Sequence, residues 1–117
     1  MKRNMRLVRA LLSRIEEDDR LDGAAGFMVQ EFEMVGHSPE EVAFHVLLLK
    51  DAGMIEGNTE TPGVPMIERL TWQGCEFLDD TRDPEIWDKT LKAASAAGIA
   101  LAWELAKAEI KKKIGLP

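Results

Sequence analysis

Thiols are scarce in this sequence. Cys75 is the single cysteine among 117 residues, so no disulfide can close within one chain, which fits a reducing cytoplasm. Long apolar runs are missing too. The longest, residues 93–103, is mostly alanine and gives way to Glu104, well short of the ~20 residues that a membrane-spanning helix requires. No basic-then-apolar leader with a small-residue cleavage site opens the chain, so no signal peptide is expected. Histidine is limited to His37 and His45, eight residues apart and distant from Cys75, which is not the close ligand spacing of a zinc site. Neither a glycine-rich phosphate loop nor a G-x-S-x-G nucleophile turn is present. Asp79, Asp80 and Asp83 suggest a magnesium cluster at first sight, but a helix end followed by a helix N-cap accounts for the same residues. The sequence therefore predicts no catalytic residue, no metal and no cofactor, and a protein that is not an enzyme.

What is present fits one modest core and argues against wholesale disorder, with 45% hydrophobic residues. The net charge of −6 is unevenly spread. Residues 1–14 carry Lys2, Arg3, Arg6, Arg9 and Arg14 and no acid, residues 15–88 are acidic, and residues 89–117 are basic again, ending in Lys111 to Lys113. An acidic total disfavours tight duplex binding, since phosphate neutralisation dominates that affinity, while a local basic patch still permits contact.

The stretch from Ser38 to Gly53 organises the rest. Ser38 suits an N-cap, Glu41 completes a capping box with it, and Pro39 falls at the first helical position. Gly53 suits the left-handed residue that ends the helix. At 100° per residue, Val42, Val46 and Leu49 share one side with His45, which reads as a packed core histidine. Phe44, Leu47 and Leu48 occupy the opposite side. A helix apolar on both sides is covered from two directions, which makes this one central.

Around it, Met5, Val8, Leu12 and Ile15 give the stripe of a first helix over residues 3–17, ended by the acids Glu16 to Asp19, with Asp22-Gly23 as a turn. Residues 27–35 read as a short strand. Two more short strands, 54–57 and 66–70, flank a loop of Thr, Pro and Gly, the pattern of a hairpin wing. Thr71 suits the N-cap of a helix over 72–80, in which Cys75 is expected to be buried. Asp83 suits the N-cap of a last segment from Pro84 to about Ile114. That segment carries two adjacent apolar stripes, one centred on Trp103, and a ridge of small residues, Ala94, Gly98 and Ala102.

The order helix, short strand, helix ending A-G-M-I-E, hairpin, then R-L-T-W-Q-G-C-E-F-L-D-D and R-D-P-E-I-W resembles the YjcQ-like winged-helix group of small bacterial and prophage proteins, largely domains of unknown function. The resemblance covers about residues 1–88 and implies a winged-helix fold; it brings no catalytic residue. The chain departs from DNA-binding winged helices, which usually place two helices between the first strand and the wing where this chain places one.

The expected fold is mostly α with a small β-hairpin, a winged-helix-like domain over 1–83 and a C-terminal helical extension over 84–117. The expected role is a non-enzymatic interaction or assembly module in the cytoplasm, partnered by a second copy or another protein and by no membrane. Self-association is expected through Ala94, Gly98, Ala102 and Trp103. The alternative is a DNA-binding transcriptional regulator using Arg3, Arg6 and Arg9. The central helix offers Glu40, Glu41, Asp51 and only one base, Lys50, and the wing offers none, which favours the interaction module.

Overall fold

The computed structural model describes residues 1–23, 33–58, 66–97 and 107. The chain divides into two compact units, residues 1–75 and residues 76–117. Among the described residues the order is α1 (Met5–Glu17), α2 (Pro39–Asp51), β1 (Ile55–Asn58), β2 (Met66–Leu70), α3 (Trp72–Thr81) and α4 (Pro84–Ala97). The protein is mostly helical with one antiparallel hairpin, a winged-helix-like arrangement with α4 as the helical extension.

In the first unit, α1 begins at Met5, two residues later than the apolar spacing suggests, because Asn4 caps it. Asn4 Oδ1 accepts the N–H groups of Arg6 and Leu7 at 3.1 and 3.3 Å, satisfying donors that the first turn leaves unpaired. Met5, Leu7, Val8, Leu11, Leu12 and Ile15 are buried on one side. Asp18 ends the helix. Arg20 grips its carboxylate through Nε and Nη2 at 2.9 and 2.7 Å, and Arg14 adds a third contact. The Arg20 guanidinium bonded to it holds the Asp18 carboxyl well below the usual carboxylate range.

α2 has both predicted ends. Ser38 Oγ accepts the Glu41 N–H at 3.1 Å. The capping box closes only halfway, because the Glu41 carboxylate turns to His37 instead, 2.6 Å from its Nδ1. At the other end Gly53 takes φ +71°, and the Gly53 and Met54 N–H groups reach back to the carbonyls of Lys50 and Leu49 at 2.9 and 3.0 Å. This is a Schellman turn, and its usual apolar contact is supplied by Leu49 and Met54, both fully buried.

β1 and β2 pair antiparallel, with a register shift between Glu56 and Gly57. Asp22 makes an isolated bridge to Arg69 on β2, so the chain leaving α1 lies along that strand. The hairpin base is closed by Thr71, whose N–H binds the Met54 carbonyl at 3.0 Å and whose hydroxyl donates to the Gly53 carbonyl at 2.6 Å. The same hydroxyl oxygen accepts the Gly74 N–H at 3.1 Å and caps α3. Gly74 lies so close to the Met54 carbonyl that a Cβ there would overlap it. The strand expected over 27–35 falls mostly outside the described residues. Its last three, Glu33 to Val35, are not extended pairing: the His37 N–H binds the Met34 carbonyl at 3.1 Å, and Gly36 at φ +84° turns the chain into the Ser38 cap.

In the second unit, Phe77, Leu78 and Thr81 are buried along α3, and the Thr81 hydroxyl donates to the Phe77 carbonyl at 2.7 Å. Cys75, the last residue of the first unit, is exposed, contrary to the expected burial. The buried positions of the helix, 74, 77, 78 and 81, run at helical spacing, and residue 75 falls one step off that stripe. Asp83 caps α4, its Oδ1 accepting the Glu85 N–H at 2.8 Å, with Pro84 at the first position. Thr90 is buried and donates to the Ile86 carbonyl at 2.7 Å.

Candidate functional site

α2 is the element on which a site can be built, because its two sides have different fates. Val42, His45, Val46 and Leu49 are buried on one side. On the other, Phe44 and Leu48 are half-buried and Leu47 is 40% exposed, with Glu40 and Asp51 exposed around them. Just before the helix, Val35 is fully exposed. An open cleft of about 280 Å³ lies beside it, lined by Glu33, Met34, Val35, His37, Pro39 and Val42. This side of α2 thus carries one exposed and two half-buried apolar side chains edged by acids.

The one base of α2 is committed inward. Lys50 Nζ donates to the Gly57 carbonyl at 2.7 Å, tying the helix to β1. A base-reading helix would need that ammonium free for a base edge or phosphate.

His45 is completely buried, as its spacing predicts, and both ring nitrogens are engaged. Nε2 accepts the Asn4 backbone N–H at 2.8 Å, and Nδ1 lies 2.8 Å from the Glu41 carbonyl, to which it must donate. The Phe44 ring meets the imidazole edge-on, 5.4 Å between centroids. Asn4, the residue that caps α1, is thereby fixed to α2. The sequence gives no hint of this bond, since its partners stand 41 positions apart.

Of the arginines named for nucleic-acid contact, Arg3 and Arg6 are exposed and Arg9 is half-buried. Of the self-association residues, Ala94 lies within α4, while Gly98, Ala102 and Trp103 lie outside the described residues. The three acids considered for magnesium are engaged separately: Asp79 with Arg82, Asp80 with Lys107 at 3.9 Å, and Asp83 in the α4 cap. Among the described residues no group of three or more His, Cys, Asp or Glu side chains is placed to hold a metal ion. None of the helices described is long and apolar enough to cross a membrane. Trp72, 80% exposed at the start of α3, is a surface aromatic that spacing alone did not single out.

A family model described as "Hypothetical protein (DUF2513)" matches residues 2–100. The chain belongs to the DUF2513 family. A curated relative from Haemophilus influenzae, described as "Uncharacterized protein", is 35% identical over 104 residues, covering 81% of this chain and 82% of its own. No solved structure matches. The DUF2513 match runs from before α1 to beyond α4, so α2, the His45–Asn4 bond and the hairpin all lie within the family's own span.

Proposed function

We propose that this DUF2513 chain is a non-enzymatic interaction module, built on a winged-helix frame like that of the YjcQ-like group of bacterial and prophage proteins, whose first partner is a second copy of itself. One observation carries this reading: the outward side of α2 presents Phe44, Leu47 and Leu48 between acids, while its single base, Lys50, is bonded to the Gly57 carbonyl. A winged-helix frame with that face suits a protein contact and offers nothing to read a base edge. The domain of residues 1–83 carries this face. The extension, 84–117, adds a second contact through the small ridge of Ala94, Gly98 and Ala102, beside Trp103. A ridge of small residues lets two helices approach closely, and a symmetric pair is the commonest closed assembly.

Mass in solution across micromolar concentrations tests this, for the wild type, Leu47→Glu and Trp103→Glu. The expected result is a wild-type dimer that one or both substitutions convert to a folded monomer; a monomeric wild type throughout overturns self-association. A DNA-binding regulator is the second reading, supported by the exposure of Arg3 and Arg6. Submicromolar, sequence-selective duplex binding at physiological salt, with a salt dependence that flattens when Arg3, Arg6 and Arg9 are replaced, would establish it in place of the first.

A further inference from the structure

Glu40, Phe44, Leu47 and Asp51 follow one another at steps of four, three and four residues, which sets them in a single row along α2. The row has an acid at each end and apolar side chains between. Its ends lie about 16 Å apart at the helical rise per residue. Glu40, Leu47 and Asp51 are exposed and Phe44 is half-buried. Among the described residues neither carboxylate of the row takes part in a hydrogen bond or an ion pair.

Such a row cannot be its own partner. Laid antiparallel on a second α2, Glu40 meets Asp51. Laid parallel, Glu40 meets Glu40 and Asp51 meets Asp51. Both arrangements set carboxylate against carboxylate, which opposes association.

The complementary pattern occurs in the same unit. Met1, Lys2 and Arg6 are exposed at the start of the chain, in a stretch that carries no acid. The Lys2 and Arg6 side chains also make no hydrogen bond or ion pair among the described residues. Met1, 71% exposed, sets an apolar side chain beside these bases. Lysine and arginine stems cover apolar surface while their charged ends reach outward. Within one chain the two sets are held apart. Asn4, between Lys2 and Arg6, is bonded through its N–H to His45, on the buried side of α2.

We infer that the outer row of α2 receives the basic stretch Met1 to Arg6 of a second copy of the chain. Lys2 and Arg6 of each copy meet Glu40 and Asp51 of the other, and Met1 covers Leu47. Each copy offers one row and one basic stretch, so a symmetric pair makes the contact twice. The inference rests on the self-association proposed above and names the surface that Leu47 meets.

Mass in solution tests it on the full chain, with helix content as the check of folding. One variant carries Glu40→Lys with Asp51→Lys and is basic on both surfaces. The other carries Lys2→Glu with Arg6→Glu and is acidic on both. The expected result is a wild-type dimer that weakens with added salt and whose dissociation constant rises about tenfold or more in either variant alone. An equimolar mixture of the two should return near the wild-type value, because every basic surface then meets an acidic one. Glu17→Lys with Asp19→Lys, exposed acids beyond this contact, should leave the dimer unchanged. A wild-type dimer that neither variant weakens, two weakened variants that mixing does not rescue, or equal weakening by the Glu17 and Asp19 pair overturns this docking and leaves self-association standing. A monomeric wild type overturns both. Should a reversed variant lose helix content, Glu40→Gln with Asp51→Asn and Lys2→Gln with Arg6→Gln decide. Each should weaken the dimer and flatten its salt dependence, and no change in either overturns the docking.

Discussion

α1 and α2 are both 13 residues long and pack on each other, yet they are opposite kinds of helix. α1 sends six apolar side chains to one side and lines the other with arginine, Ser13 and glutamate. It has one dry face and one wet one, as a helix that caps a core should. α2 buries four side chains, one of them a histidine, and keeps Phe44, Leu47 and Leu48 at or near the surface on the far side. Their ends differ as well. α1 runs from an asparagine cap to a carboxylate held by two arginines, whereas α2 runs from a serine cap to a glycine turn. The lesson is a division of labour: α1 spends its amphipathicity wholly on folding, and α2 holds apolar surface in reserve.

The comparison predicts equal sensitivity on the buried sides. Val46→Asp and Leu12→Asp each place an unpaired charge where exposure is 3% and 0%, and each should cost several kcal/mol, seen as loss of a cooperative melt at ambient temperature. A stable Val46→Asp protein beside an unfolded Leu12→Asp one would mean that α2 is not central. A smaller effect is expected at the caps. Asn4→Ala and Ser38→Ala should each cost about 1 kcal/mol by denaturant titration. The Asn4 change leaves its backbone N–H on His45, so a loss much beyond that of Ser38→Ala would show that the cap and the Asn4–His45 bond act as a unit. The smallest effect lies at the end of α1. With its folded carboxyl held below the ordinary value, Asp18 contributes stability that is present above about pH 4 and is lost as the pH falls below it. Arg20→Ala should make that acid loss shallower in pH-dependent melts by a small fall in stability at neutral pH and none in acid, small because the pair is exposed on the arginine side.

Helix ends were legible wherever the signal was local. Ser38 with Pro39, Gly53, Thr71, and Asp83 with Pro84 all act as their types and positions suggest, since a cap is a bond between neighbours in sequence. Asn4 was missed because the helical stripe begins beside it and the basic residues around it mask a start signal. The Glu41 side chain was misassigned to the cap because its real partner, His37, lies outside the box pattern. Cys75 was taken as buried on residue type, when the phase of Phe77, Leu78 and Thr81 already placed it on the other side. The Asn4–His45 bond was illegible in principle, for it exists only after α1 docks on α2. The small ridge and Trp103 remain a reading of the sequence, as most of them lie outside the described residues.

Thr71 has a practical consequence for handling this protein. One residue joins the end of α2 to the start of α3 through Gly53, Met54 and Gly74, and so fixes both helices at the base of the hairpin. Insertions and bulky labels are therefore best kept away from residues 53, 54, 71 and 74, where a single change would unseat the end of one helix and the start of the other at once.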